Sequence, residues 1–356
     1  MIPLLIHQIF TYGTFVLSLF TNAIFIWIST TTISDSIGRY RYLMIGFAVM
    51  DVLVSITHLI LMPGIQLTSV GYIFFGYHLV DKSPIMGTWA GILFVVFFYQ
   101  TFIILAFHYI YRYAVVCEPR WRNIFTKHTT FWWSFISTVV QLLYTFGYYE
   151  VVQIGFMPSE YKTAHYHSVV LTNTGIDSAK FDFGYLAIIF RKPSPDPSKG
   201  EIWQMDSIVA ILGALSFFGL TAVVIIICSI LILRQLRMSK STLISTQMRK
   251  TQQALLKALI VQTVIPSIFS YIPLGMIFLV PFLGFNMTGI YGDLMIMSCA
   301  IFPAIDPIIM LYFVRSYRNR IAYIWKVLRN PNLTQVQMFN GSTMSASPIS
   351  ESRRTN

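Results

Sequence analysis

Charge is what this chain has least of. Only 11% of its 356 residues are Asp, Glu, Lys or Arg, against roughly 25% in soluble domains, which is too little to wet a globular surface. Cysteine is scarce as well: three residues exclude a disulfide-rich secreted scaffold. Glycine has no collagen-like period, and no long polar block is present that would make a soluble domain on a single anchor. What remains is apolar. Hydrophobic residues make up 55% of the chain and aromatics 16%, with a mean hydropathy of +0.65, which specifies a bundle of spanning helices. Low-hydrophobicity disorder is confined to the last stretch.

A spanning helix needs roughly 20 mostly apolar residues, and seven runs qualify, at about 4–28, 42–62, 88–111, 130–149, 208–233, 255–280 and 289–314. The first lacks a basic region ahead of it and is too long for a cleavable signal, so it is expected to stay in the membrane. The expected fold is an all-α membrane protein, a seven-transmembrane helix bundle over 1–314. A short amphipathic interfacial helix over 315–330 and a disordered cytoplasmic tail over 331–356 follow. Nineteen of the 25 Lys and Arg fall in one set of connections plus the tail, and six in the other. Cytoplasmic loops hold the excess, so the N-terminus is expected outside and the C-terminus inside. The net charge of +11 is then a topology signal directed at anionic lipid and cytosolic partners, and no sign of nucleic-acid binding. An odd span number without an internal repeat disfavours transporters built from matched halves. The longest connection, about 150–207, is expected outside. Three prolines in its Arg191–Gly200 run exclude a regular helix there, and the connection either covers the mouth of the bundle or is a floppy loop.

No Lys or Arg lies deep in a span, but Asn22, Asp51 and Asp306 do. Ionisable groups at that depth cost about 2.5–3.5 kcal/mol, so each needs a reason. Sharing hydrogen bonds or an ion across neighbouring helices is one: the three are either packing glue or a two-state switching network.

At these positions a family resemblance emerges. Phe47-Ala-Val-Met-Asp51 resembles the second-helix motif of rhodopsin-like receptors, Asp306-Pro307-Ile-Ile-Met310 their seventh-helix motif, and Arg112 in Tyr111-Arg-Tyr113 the arginine at the inner end of their third helix. The departures are specific. Tyr111 replaces an acidic neighbour, Met310 replaces a tyrosine, and Pro266 has no Trp ahead of it. The cysteines, Cys117, Cys228 and Cys299, cannot form the usual outer bridge. Ile37-Gly-Arg-Tyr-Arg-Tyr-Leu-Met44, His108-Tyr-Ile-Tyr-Arg-Tyr113, Gln262-Thr-Val-Ile-Pro266 with Tyr271-Ile-Pro273, and Asp306-Pro307 with Tyr317-Arg318 are together similar to the Str superfamily of nematode serpentine chemoreceptors. That resemblance covers about 15–325. It implies a seven-helix receptor in the plasma membrane of sensory-neuron cilia that signals through a heterotrimeric G protein.

Such a receptor admits a G-protein helix between the inner helix ends, where Arg112 and Tyr113 are placed to meet it; Asn22, Asp51, Asp306, Pro307 and Pro266 are the expected activation set. The cations of the third inner loop either add to this surface or only enforce topology. After the last span, Val314, Tyr317, Ile321, Ile324, Trp325 and Leu328 fall on one helical face beside five cations and no acid, which reads as a helix on the inner leaflet. In the outer half, Phe94, Phe98, Tyr99 and Gln100 on the third helix, Ser270 and Tyr271 on the sixth, and Tyr291, Met295 and Ser298 on the seventh form a candidate cavity wall. It suits a small, weakly polar, odorant-like molecule, although such aromatics also serve as plain helix packing or an interfacial belt. Asp293 either meets a cationic ligand or sits at the headgroups.

The seventh span has no Lys for a retinal Schiff base, so light sensing is rejected. His165-Tyr-His167 lacks a third ligand nearby, and no metal, cofactor or catalytic set is expected. Asn286-Met-Thr288 is a glycosylation sequon in a loop so short that the Asn lies close to the bilayer. The alternative to a G-protein-coupled receptor is a ligand-gated seven-span channel, but no span carries the polar stripe a pore needs.

Overall fold

The computed structural model describes residues 3–32, 40–117, 127–174, 183–238 other than 195, 197 and 199, and 246–329 other than 286, 288 and 289. Asn286 and the 331–356 tail lie outside the described residues.

The first three spans are α1 (Leu4–Thr31), α2 (Tyr40–Leu61) and α3 (Pro84–Cys117). The fourth is α4 (Lys127–Gly155), followed by a connecting helix α5 (Glu160–Thr174) and the fifth span α6 (Met205–Met238). The sixth is α7 (Thr246–Pro266), a π-helical turn Ser267–Tyr271, and α8 (Ile272–Phe282); the seventh is α9 (Ile290–Ser298) plus α10 (Phe302–Phe313). A last helix, α11 (Arg315–Arg329), turns off at Val314. Six of the seven spans are long and apolar enough to cross a membrane. The exception is α4, whose Trp, Tyr, Ser, Thr and Gln dilute its hydropathy. It packs on α6 and α3 and turns Phe131, Trp132, Phe135, Leu142, Leu143 and Phe146 outward, as a lipid-facing helix does.

The breaks follow the prolines. A proline has no N–H to donate, so the ladder loosens one turn back. In the sixth span Pro266 ends α7 and the wide π turn lies one turn ahead of Pro273, and in the seventh the chain between α9 and α10 tightens to i→i−3 bonds at Cys299, Ala300 and Ile301 just ahead of Pro303. Burial is inverted relative to a soluble protein: large apolar side chains cover the outside, while Ser18, Asn22, Asp51, Ser55, Gln262 and Asp306 are inside.

The largest departure from an all-helical expectation is a three-stranded antiparallel sheet. It comprises β1 (Pro63–Leu67), β2 (Gly71–Gly76) and β3 (Tyr185–Ile189), with Ile65 opposite Phe74 and Phe74 opposite Leu186. Every strand residue is buried. One face joins the bundle's core through Ile65, Leu67, Tyr72, Phe74, Leu186 and Ile188. The other meets Tyr166 and Val170 of α5 through Ile73, Phe75, Ala187 and Ile189. A strand buried on both faces shows no alternation of polar and apolar residues, so the sequence gives no period to read. Met62 links α2 to β1 in the left-handed region (φ 44°). A two-stranded hairpin, β4 (Arg191–Pro193) and β5 (Glu201–Trp203), brackets the proline run. The 150–207 connection thus covers this end of the bundle, called the sheet end below; the opposite end carries Arg112.

Candidate functional site

Beneath the sheet lies a cavity with about 70 Å³ of open space. Phe94, Phe98 and Tyr99 of α3 form one wall, Tyr148 and Val152 of α4 another, and Ile277, Phe278, Ile296 and Cys299 a third; Ile65, Tyr72, Phe74 and Leu186 of the sheet roof it. Phe94 and Phe98 stack at 6.0 Å and Tyr99 stacks on Tyr148 at 4.1 Å. The wall is aliphatic and aromatic throughout, with no charged side chain.

Of the residues expected here, Phe94, Phe98 and Tyr99 line the cavity and Tyr271 lines an adjoining one with Tyr99. The others are elsewhere. Gln100 is turned about 100° further round α3 and donates to Gln141 O (3.1 Å) and Thr145 Oγ1 (2.7 Å) of α4. Ser298 donates to Phe269 O (2.6 Å) and Met295 O (2.7 Å), tying the seventh span to the π turn. Met295 packs on the edge of the core, Ser270 is buried beside Cys299, and Tyr291 is 52% exposed on the outside. Asp293 is buried and already paired within the fold: Tyr77 OH donates to its Oδ2 (3.2 Å) and Ile65 N to its Oδ1 (3.3 Å). It clamps β1 to α9, and at Gly292 any Cβ would collide with Ile65 O. A second, polar cavity of about 320 Å³ lies outside the sheet among Gln153, Lys162, Lys192, Gln204 and Asp206. Lys162 Nζ donates to Gly155 O and Met157 O, both at 2.8 Å, and burial lowers its pKa to about 8.

Midway down the bundle, Asn22 is linked to the backbone of Asp51 through the Ser18 and Ser55 hydroxyls, which are 2.7 Å apart, while Asp306 is held from the sixth span. Asn22 Nδ2 donates to Ser18 O and Pro303 O, both at 2.9 Å, and Thr21 Oγ1 to Ala304 O at 3.0 Å. The Pro303 and Ala304 carbonyls lie at the start of α10, so Asn22 joins the first span to the seventh. Asp306 Oδ2 instead accepts from Gln262 Nε2 at 2.8 Å, joining the seventh to the sixth. Asp51, fully buried, is within electrostatic reach of Asp306, and neither of its carboxyl oxygens has a hydrogen-bond partner among the described residues. Pro307 is buried in α10 directly after Asp306.

At the far end, Arg112 is only 2% exposed. Its Nη1 donates to Gln252 Oε1 of α7 at 2.9 Å, and its guanidinium lies 3.7 Å from the centroid of the Tyr40 ring of α2. Tyr40 OH is 2.9 Å from His108 Nδ1, and its ring stacks on Tyr111 at 5.3 Å. An aromatic face and a neutral amide therefore occupy the place for which the sequence offers no adjacent carboxylate. Tyr113 lies alongside, partly buried on the α3–α6 core. Sequence reasoning missed Gln252 altogether, and it quoted Tyr40 only within a family motif. The sole signal for either was an uncompensated arginine at the end of a span, which needs a partner from a neighbouring helix. In α11, Tyr317 is anchored through Ser29 Oγ (2.8 Å) and Phe25, while Ile321, Trp325 and Leu328 remain exposed.

Comparison with known proteins agrees with this geometry. The family profile of the serpentine type 7TM GPCR chemoreceptor Str matches residues 7–322. Serpentine receptor class r-10 of Caenorhabditis briggsae is 23% identical over 290 residues, 80% of this chain and 81% of the relative. The Caenorhabditis elegans protein of the same name is 24% identical over 293 residues, 82% of each chain. G-protein coupled receptor str-33 of Caenorhabditis elegans is 21% identical over 310 residues, 85% of this chain and 86% of the relative. Squid rhodopsin shares the fold, with a TM-score of 0.60 at 14% identity over 92% of this chain and 88% of that one. With the profile spanning all seven helices, the chain belongs to the Str family of seven-transmembrane serpentine chemoreceptors, multi-pass membrane G-protein-coupled receptors and not enzymes.

Proposed function

We propose that this receptor is chemosensory, holding a small, weakly polar organic molecule in the cavity under the sheet and activating a heterotrimeric G protein at the Arg112 end. The sheet end is the outer face, the Arg112 end the cytoplasmic face, and the membrane is the plasma membrane of sensory-neuron cilia. The cavity is the observation that carries the reading: it is roofed, aromatic, free of charge and ringed by five of the seven spans, which selects for shape and apolar area. The 19 to 6 split of basic residues supports the orientation. In that orientation the apolar face of α11 lies on the inner leaflet, with its cations toward anionic headgroups.

Arg112 and Tyr113 are the coupling residues. An incoming helix presents terminal carbonyls with partial negative charge, and a guanidinium offers five donors in a planar fork to meet them. Because Arg112 is buried against Tyr40 and Gln252, coupling requires α7 to move away from α3. The test is an odorant panel on cells expressing the receptor, read by both G-protein activation and ion-substitution currents. A neutral odorant should raise the G-protein signal in wild type, with none in Arg112→Ala and a partial one in Arg112→Lys at equal surface density. Wild-type signalling in Arg112→Ala would refute the coupling role, and a current that follows the odorant without G-protein activation would refute the class of receptor.

A further inference from the structure

Among the described residues, the cavity is closed toward the sheet end. Its roof strands are buried throughout, α5 lies across their outer face, and Tyr77 and Asp293 clamp β1 to α9. Gly71 leaves no room for a Cβ between Ile188 O and Tyr166 OH, so the roof is packed without slack against the layer above it.

The side of the bundle is different. α6 packs on α3 and α4, whereas the sixth span packs on α3 and the seventh, and the two barely touch each other. They meet edge to face at Phe218 and Tyr271, 5.1 Å apart, with Phe102 filling in behind Tyr271 at 4.3 Å. Sheetward of that contact they part. The opening holds a second small cavity, about 50 Å³, which shares Tyr99, Ala214, Leu274 and Phe278 with the first. Its outer rim is Leu215, 43% exposed on α6, and Gly275, exposed on α8 with nothing within 4 Å of where a Cβ would stand. Both rim residues lie in spans and face the surroundings of the bundle, which at that depth are lipid.

We infer that the gap between α6 and α8 is a membrane portal, and that the ligand is an uncharged, lipid-partitioned molecule reaching the cavity sideways from the bilayer. This rests on the cavity being the ligand site. The chemistry is consistent along the whole route: lipid, Leu215 and Gly275, then Ala214, Leu274 and Phe278, then the aromatic wall, with tyrosine hydroxyls as the polar groups and no charged side chain among the lining residues. A charged or strongly hydrated molecule has no such path, since the roof offers none and the bilayer excludes it.

A route and a site are separable by kinetics. Narrowing a route slows arrival and departure equally and leaves the dissociation constant unchanged, because the end states are untouched. The purified full chain in phosphatidylcholine nanodiscs is mixed by stopped flow with N-phenyl-1-naphthylamine, an uncharged apolar dye that fluoresces in dry surroundings. Wild type should show saturable binding. Gly275→Trp should lower the association and dissociation rates together, by roughly tenfold to hundredfold for an obstruction of overpacking size, at unchanged affinity. Leu215→Trp obstructs the same rim from the opposite helix and serves where the first variant fails to fold. Leu220→Trp, on the lipid face of α6 and off the rim, should leave both rates as in wild type. Unaltered rates in the two rim variants overturn the portal while leaving the cavity reading intact. So does weakened affinity without matched slowing, since the residues would then line the site. Absence of any saturable signal in wild type overturns the cavity reading itself.

Discussion

The contact between Arg112 and Gln252 crosses from the third span to the sixth, and breaking it from its two ends should have opposite effects on signalling. Gln252→Leu keeps the volume and removes the acceptor. A hydrogen bond to a charged group contributes about 1.5–3 kcal/mol, and about 1.4 kcal/mol is a factor of ten in an equilibrium. If that contact exists only with α7 closed on α3, the substitution shifts the closed-to-open balance by roughly tenfold to hundredfold toward open. The guanidinium does not fall free, because the Tyr40 face still holds it by about 2 kcal/mol in a desolvated setting. The pull is nevertheless outward: Nε and Nη2 already have no partner among the described residues, and Nη1 would join them. Basal G-protein activation per surface receptor should therefore rise in Gln252→Leu. Gln252→Glu should do the reverse, placing a carboxylate within bonding distance of a cation at a buried site, so basal activity falls and more agonist is needed. Arg112→Ala should be silent whichever residue stands at 252. The assay is nucleotide exchange on a G protein in membranes with matched receptor density. Equal basal rates for Leu, Gln and Glu at 252 would refute the reasoning, since a contact that changes nothing when its acceptor is removed or made anionic is not a tether.

Asp51→Asn replaces an acid near Asp306 with an amide of nearly the same shape, so it should alter basal activity or agonist potency; a well-expressed variant with wild-type signalling marks these carboxyl groups as packing glue. Gly292→Ala forces a methyl against Ile65 O and should cost about 1–3 kcal/mol, read as a fall in thermal midpoint together with weakened binding under the roof; an unchanged midpoint would mean that the hairpin is not seated on α9. Tags after Asn356 and within residues 193–199 should be hidden and accessible, respectively, on intact cells, and staining of the C-terminal tag without detergent would reverse the orientation. The Lys162 pKa of about 8 lies below its ordinary 10.5. Between those values the unfolded chain binds more protons than the folded one, so this residue's contribution to stability rises with pH across that window. Comparing midpoints at pH 7.5 and pH 10 should show that rise in wild type and a smaller one in Lys162→Met; identical rises would place the titrating group elsewhere.

The spans were legible because lipid imposes one rule along some 20 residues at a time, and no tertiary detail overrides it. The fourth span satisfied that rule in length and only weakly in composition. The sheet was not legible. β1 and β2 are sealed between two layers and show no period, and β3 pairs with β2 across more than a hundred residues, so only the glycine-bounded Gly71-Tyr-Ile-Phe-Phe-Gly76 run hinted at a strand. On α3, Phe94, Phe98 and Tyr99 were identifiable by their shared face, and Gln100 was misplaced because one residue rotates the helix by a quarter turn. Asp293 was left between a cationic ligand and the headgroups because its place near a span end does not reveal a hairpin folding over it. Tyr40 and Gln252 stand on different helices from Arg112, and their meeting is a property of packing rather than of spacing.

The strands cross the roof of the cavity in register, so Ile65, Phe74 and Leu186 form a single row across it, with Leu67, Tyr72 and Ile188 forming the next. These side chains hang from a sheet whose backbone bonds are indifferent to what they are, and none of them touches the Asp51–Asp306 region or Arg112. With the proposed ligand site beneath it, chemical preference can drift by exchanging one apolar roof residue for another, while the helices that transmit the response keep their sequence. A receptor built this way separates what it detects from how it reports. Under the proposed function, related copies diverge in ligand range along two short rows of a three-stranded sheet, with little epistatic penalty paid in signalling.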